Sequence, residues 1–509
     1  MNDQAQRDQA LDISDSYIVQ APAGSGKTEL LTQRYLKLLS ISEEPENILA
    51  MTFTNKAADE LKYRVIRSLE RSKTSAPKTS HEKLTWELAN QALKRSKQRG
   101  WDIFSNPSRI KIGTIDSLSS LIVSRYPTIE NLMPPRIMAK PYEYEYLYQK
   151  AAEKTLLLIE ESDFQKVISV VLFHLDNNVE KFYRLVTRML AKREQWLPRL
   201  YLKGALDIDI LDKAAQQIIT EHLQSLNKTA TNYFDQNFFS LISKNTRHEV
   251  RQIKKLPSPE ISDLEEWKIL SDLCLTKSGQ WRKKIDKNLG FPAELKEQKK
   301  ELLMILAELR KDDCLKNQLM ELNLLPDVYL EKASNKALRD ISEVLKLSVA
   351  QLKLLFNELS VQDFSEVGLQ AISALDSREK VSDIALFLDY QIKHLLIDEF
   401  QDTSYAQLIL IEKLLENWQH GSGKTIFLVG DPMQSIYRFR ESQVGIFLEV
   451  KKNGISNVKI NSLLLNNNFR SNKSVVDSNN KFFSRIFPLE DSLIHGAIHY
   501  SKSSAASSK

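Results

Sequence analysis

The stretch that most constrains the fold is Tyr17–Leu39, YIVQ-APAGSGKT-ELLTQRYLKLL. Tyr17, Ile18 and Val19 form a short apolar run of strand length, and Leu31, Tyr35, Leu38 and Leu39 recur at helical spacing. Between them lie Ala21, Pro22, Ala23, Gly24, Ser25, Gly26, Lys27 and Thr28. Small residues let backbone N–H groups turn inward around a phosphate, and the helix that follows aims the positive end of its dipole at the same anion. Lys27 is placed to reach the β- and γ-phosphates, and the Thr28 hydroxyl to hold Mg²⁺. Ala21 stands where such loops usually carry their first glycine. A chance Gly-rich turn would not have this strand before it and this helix after it.

The text on either side is consistent with a parallel sheet. Strand candidates at Tyr17–Gln20, Ile48–Thr54 and Ile110–Ile115 alternate with helical stretches. The polar, Pro-broken run RSKTSAPKTS at 71–80 is expected to be a loop, followed by a helix over His81–Gln98. From Pro127 to about Asp383 the chain becomes amphipathic helical text, as in Glu143–Glu161, Leu302–Leu309 and Ala337–Leu359. Basic runs there, Lys244–Lys255 and Arg282–Lys287, suit either solvated helix faces or contact with DNA. The α/β pattern returns at Leu395–Ile397, Ile426–Val429 and Ser462–Leu465. The fold class expected is therefore α/β. One lobe would be built from 1–127 and 384–490, with an all-helical insertion at 128–383 and a disordered tail at 491–509.

Composition narrows the class without choosing the chemistry. A 509-residue chain is long enough for about three domains. Its hydrophobic (42%) and charged (27%) fractions are those of an ordinary globular protein. A net charge of +5 permits a nucleic-acid partner but does not demand one. Cys274 and Cys314 have no metal-ligand spacing, and so few thiols fit a reducing, cytoplasmic setting. The polar start MNDQAQRDQA lacks the apolar core of a secretory signal, and no run approaches membrane-spanning length, so no membrane role is expected.

A second chemical signal is His394-Leu-Leu-Ile-Asp398-Glu399, an apolar strand ending in paired carboxylates. Nucleotide hydrolysis needs one carboxylate near the metal and a group that orients water, roles that suit Asp398 and Glu399. Adjacent acids are common on surfaces, so the pair gains meaning from the phosphate loop upstream. Further motifs follow in order: Gln6-Arg7, Met51–Ala58 (MTFTNKAA), Gly113-Thr114, Asp398–Ser404 (DEFQDTS), Gly430–Arg440 (GDPMQSIYRFR) and Asn468-Phe469-Arg470-Ser471. Together with the phosphate loop they resemble the first half of the UvrD/Rep class of superfamily-one DNA helicases. The long interval from Thr114 to Asp398 favours the AddA- and RecB-like branch, whose helical insertions are large.

That resemblance implies a RecA-like P-loop parallel sheet flanked by helices, ATP and Mg²⁺ as cofactors, and ATP-dependent 3′–5′ unwinding or translocation in double-strand-break repair or recombination. It also implies a role for each matching residue. Gln6 looks like the adenine-reading glutamine and Phe469 like the aromatic stacked on the adenine. Arg470 looks like the arginine that stabilises charge on the γ-phosphate, and Gln434 like the γ-phosphate sensor. Asp398 joins Thr28 at the metal, with Glu399 as the catalytic base. Phe53, Tyr437 and Phe439 stand where the family stacks bases of single-stranded or partly duplex DNA. Stacking of this kind tolerates any sequence. Asn55, Thr114 and Arg440 would hold the DNA backbone or position those aromatics.

Gly421–Thr425 repeats the letters GSGKT, but Trp418 occupies the first loop position and a strand follows, so a surface loop is expected. The family continues past the Asn-Phe-Arg-Ser motif into a second lobe, and too little chain follows Ser471 to build one. The expectation is a C-terminally truncated front portion whose second lobe or nuclease would come from another subunit or chain. Two other readings remain open. One is a non-catalytic ATP- or DNA-binding fragment; the other is an unrelated P-loop ATPase, against which the Gln434–Arg440 block argues.

Overall fold

The computed structural model describes residues 3–77, 79–125, 135–203, 208–276, 279–310, 312–325, 332–375, 383–419, 421–436, 443–492 and 496–506. By internal contacts the chain divides into two compact units, residues 1–202 with 344–509 and residues 203–343.

The first unit is organised by a six-stranded sheet: β1 (Tyr17–Gln20), β2 (Ile48–Thr52), β3 (Lys111–Thr114), β4 (His394–Ile397), β5 (Thr425–Gly430) and β6 (Asn461–Leu464). The strand order is β3-β2-β4-β5-β1-β6, and every pairing is parallel. Ile48 lies opposite His394, and His394 in turn opposite Thr425. The strand at 394 is thus inserted between two others, however much chain separates it from β3. All six strand candidates of the sequence form, and the α/β class is as expected.

Side chains alternate across the sheet because successive Cβ atoms point to opposite faces. Tyr17 and Val19, Ile48 and Ala50, Leu396, Phe427 and Val429 pack on one face. Ile18, Met51, Leu395, Ile397, Ile426 and Leu428 pack on the other. Both faces are covered, so the central strands read as unbroken apolar runs instead of alternating ones. Each fully buried side chain such as Phe427 or Leu428 contributes about 1.5–3 kcal/mol. At the edges Lys111 and Ser462 are exposed, which blunts the open strand edges.

A short helix α1 (Gln4–Ala10) precedes β1, and α2 (Lys27–Ile41) follows the phosphate loop. Helix α3 (Asn55–Arg71) buries Ala58, Leu61, Val65 and Leu69 at three- and four-residue spacing, and the Thr54 side chain caps its first turn by accepting the Ala57 N–H. Helix α4 (Ser80–Arg99) matches the expected His81–Gln98, and α5 (Ile115–Arg125) follows β3. Helices α2 to α4 cover the first face of the sheet. The second face is covered by α5 and by helices Phe364–Leu375, Asp383–Gln391, Tyr405–Leu414 and Val444–Asn453. Part of the helical text between 128 and 383 is therefore core of the sheet unit: Ala371, Ile372, Ala374 and Leu375 pack with Ile397 and Phe400. Helical periodicity shows that a face is buried but not what buries it. Within the segment expected to be a disordered tail, Ser504–Ala505 pairs in parallel with Asn467–Asn468.

The second unit has its own core. Phe238, Trp267, Phe291, Leu302 and Leu319 are central to it, and Cys274 is buried with them. Among the described residues no helix is long and apolar enough to cross a membrane.

Arg34 on α2 fixes the approach to β1. It is fully buried, donates to the carbonyls of Ala10, Asp12 (2.8 Å) and Asp15 (2.7 Å), and lies 4.5 Å from the Phe427 ring centroid. Burial lowers its pKa to about 10, so it keeps its charge at neutral pH. Arg34→Leu strands three carbonyls and should cost on the order of 3 kcal/mol in a urea unfolding titration; an unchanged midpoint would show the turn holds without it. His394 gives a pH signature. Its ring nitrogen Nδ1 pairs with Thr425 Oγ1, and burial holds its pKa at about 4. The unfolded chain takes up the proton near pH 6.5 and the folded chain only near 4. Stability should fall as pH drops across that window, by at most about 1.4 kcal/mol per pH unit, and His394→Asn should flatten the slope.

Candidate functional site

Because the strands are parallel, their carboxyl ends lie on one edge, where ligands collect in open α/β sheets. Each strand end carries one of the motifs. The phosphate loop follows β1, Phe53–Asn55 follows β2, Thr114 ends β3, Asp398-Glu399 follows β4, Asp431–Gln434 follows β5 and Asn468–Arg470 comes shortly after β6.

In the phosphate loop Gly24 and Gly26 have φ of +77 and +81°, a region that disfavours side chains. Ala21 is not among the positive-φ residues; it continues β1 by donating its N–H to Gly430 O at 3.0 Å, so a Cβ is accommodated at this first position. Pro22 is buried beside it and Ala23 is exposed. Helix α2 begins at Lys27 without a side-chain cap, leaving the N–H groups of its first turn without intrahelical acceptors. Ser25 Oγ is buried with no hydrogen-bond partner. Thr28 stands half-buried in the first turn.

The acids converge on Lys27. Its Nζ lies 3.1 Å from Glu399 Oε2. Glu399 has φ +52°, an uncommon conformation for a non-glycine residue. Asp398 is buried; burial and then the Glu399 charge raise its pKa to about 6, against the pull of Lys27. Asp402, also buried, is raised to about 6 by the same two causes in the same order. Burial raises Asp431 as well, opposed by Gln434 and Lys27. Gln434 is exposed, and its amide donates to Asp431 Oδ2. Gln401 lies between the two loops, donating from Nε2 to Glu399 Oε2 at 2.8 Å and accepting the Asp431 N–H on Oε1 at 2.9 Å.

A second group encloses the loop from the side of β6. Asn468 Nδ2 donates to Ala23 O at 3.1 Å, and the Phe469 N–H donates to Gly24 O at 2.8 Å. Arg7 donates from Nη2 to Ser25 O at 2.7 Å, pairs with Asp3, and lies 5.2 Å from the Phe469 ring centroid. Asp3 in turn accepts from the Asn467 side chain at 2.7 Å. Gln6 is half-buried on α1; Phe469 is 49% exposed, and Arg470 is exposed on the same turn.

At the ends of β2 and β3, Phe53 is half-buried, Asn55 is exposed at the start of α3, and Thr114 is buried with its hydroxyl accepting the Ser117 N–H at 3.1 Å. Tyr437, Phe439 and Arg440 lie outside the described residues. The repeated GSGKT letters lead into strand β5, and Lys424 pairs with Asp389 at 2.6 Å.

A nucleoside triphosphate with Mg²⁺ fits these residues. The uncapped helix start, the glycine cradle and the unpartnered Ser25 hydroxyl offer donors to phosphate. Among the described residues no group of three or more acids, histidines or cysteines is arranged to hold a metal by itself. Mg²⁺ takes one or two protein ligands and completes its shell from phosphate and water. The residues missed from the sequence are Asp3, Gln401, Asp402 and Asp431. Gln401 and Asp402 sit inside the DEFQD run, but nothing in the run shows that the amide turns back toward Glu399.

The family described as UvrD/REP helicase N-terminal domain matches residues 1–454. An ATP-dependent helicase/nuclease subunit of the A type from Lysinibacillus sphaericus is 24% identical, over 92% of this chain and 38% of that protein. Proteins of the same name from Natranaerobius thermophilus and Lactobacillus acidophilus are 25% and 26% identical, over 93% and 96% of this chain and 37% and 40% of theirs. The chain spans about two fifths of the length of the relatives it matches.

Two glycines separate strain from collision. Gly423 has φ +78° with open space around it, while a Cβ at Gly24 would come 2.7 Å from Asn468 Oδ1 and 2.8 Å from Arg470 Cβ. Gly423→Ala should cost about 1–2 kcal/mol. Gly24→Ala should cost at least about 1 kcal/mol more, because residues 468–470 must move. Equal losses in thermal unfolding would mean that Gly24 serves only its backbone angle.

Proposed function

This chain belongs to the UvrD/REP helicase family, and from that premise we propose that it is the ATP-binding lobe of a DNA helicase or translocase acting in double-strand-break repair or recombination. The observation that carries the reading is the meeting of Lys27 and Glu399 at 3.1 Å on an edge where six strand-end motifs collect.

Lys27 and the loop N–H groups bind the β- and γ-phosphates. Thr28 and Asp398 would hold Mg²⁺, which would supply neutralisation of charge on the phosphate oxygens. Glu399 accepts a proton from the attacking water and orients it; Gln434 senses the γ-phosphate. Arg470, exposed beside the loop, stabilises the charge that develops there. Gln6 and Phe469 hold the adenine. Phe53, Asn55 and Thr114, with Tyr437, Phe439 and Arg440, form a track for single-stranded DNA, and movement runs 3′–5′.

The named relatives are subunits, which supports a second subunit or chain as a partner. A second reading is a non-catalytic ATP- or DNA-binding fragment.

The test is ATP hydrolysis with and without single-stranded DNA, for this chain and Lys27→Ala. The expected outcome is DNA-stimulated turnover that falls by about 10²–10³-fold in the variant. Equal background rates in all four conditions would leave the fragment reading. With Asp398 raised to about 6, its carboxyl carries a proton below that pH. Affinity for Mg²⁺–ATP should therefore weaken as pH falls through about 6, and Asp398→Asn should reduce that dependence to the share that Asp402, also raised to about 6, contributes.

A further inference from the structure

Gln401 is 2% exposed and follows Glu399 in the 3₁₀ turn Phe400–Asp402. Its amide orientation is dictated by chemistry. The Asp431 N–H can only donate, so the amide oxygen must face it, at 2.9 Å. The NH₂ group is then turned to two acceptors, Glu399 Oε2 at 2.8 Å and Asp402 Oδ2 at 3.3 Å. Strand β5 ends close enough that a Cβ on Gly430 would lie 2.5 Å from this amide oxygen. Ser435 adds a contact of 3.5 Å to the Gln401 carbonyl. From Asp431 the chain of bonds continues, since its carboxylate accepts from the Gln434 amide.

The four residues thus form one path: Glu399 carboxylate, Gln401 amide, Asp431 backbone and carboxylate, Gln434 amide. We infer that Gln401 is a positioning residue that couples the water-orienting carboxylate Glu399 to the γ-phosphate sensor loop at Gln434. The inference rests on the roles proposed above for those two residues. Glutamine suits the task because its amide can both accept from a backbone N–H and donate to a carboxylate. A glutamate would keep the first bond and set a third carboxyl against Glu399 and Asp402. A methionine would keep the volume and lose both bonds.

Hydrogen–deuterium exchange of this chain tests the coupling without needing turnover. Gln434→Ala should raise exchange at 398–402 by about threefold or more, and the same change in a Gln401→Met background should add nothing. No rise, or an equal rise in both backgrounds, overturns the coupling. In DNA-stimulated ATP hydrolysis, Gln401→Met and Gln401→Glu should each lower kcat by about tenfold or more, with KM for ATP within about twofold. A Gln401→Glu variant at wild-type kcat would reduce the residue to filling space and satisfying Asp431, and overturn the proposal. If the wild-type chain hydrolyses no ATP, the proposed function falls and the exchange result alone decides the coupling.

Discussion

Parallel strands share a carboxyl edge, and the rest of this structure depends on that constraint. A parallel sheet must be covered on both faces, because its crossover connections place helices there. The covered faces leave one edge on which loops from six strands can meet. Residues as distant in sequence as Lys27 and Glu399 come within 3.1 Å because β1 and β4 each pair with β5. The register of β4 against β2 and β5 brings the sheet back into alignment after the chain has passed through its long helical stretch.

On that edge the dominant physics is charge in a confined space. The Lys27 charge lowers the proton affinity of Asp398, Asp402 and Asp431 alike, and Glu399 pairs with it directly. Burial pushes the first two carboxyls up to about 6, and the Glu399 charge pushes the same way. A group of acids whose proton affinity lies near neutrality is the kind of arrangement found where proton and metal chemistry are tuned. The left-handed backbone at Glu399 is held by the turn that follows and by Gln401. Strain of this sort persists where the surroundings over-determine it.

The strands were legible because burial on both faces leaves continuous apolar runs bounded by turn residues, as in Leu395–Ile397 and Ile426–Val429. The phosphate loop was legible because its glycines answer a local need, the left-handed backbone of Gly24 and Gly26; that Gly24 must also lack a Cβ under Asn468 was not. The fastening of α1 was not. Asp3 and Arg7 look like a routine i, i+4 surface pair, yet they reach Asn467, Ser25 and Phe469. Nor was the allotment of the helices. Phe364–Leu375 packs under the sheet and Leu264–Cys274 in a separate core, although both read as amphipathic helix.

By itself, then, the amino-acid order determined what is local: which runs become strands, where a phosphate can be cradled, and which acids end a strand. These follow from periodicity and backbone sterics over a few residues. The tertiary structure alone decided which strand lies beside which, how Asp398 and Asp402 acquire their raised proton affinity, and that one glutamine amide joins Glu399 to Asp431. Strand order, desolvation and hydrogen-bond partnership are set by groups far apart in the chain, and no window of sequence contains them.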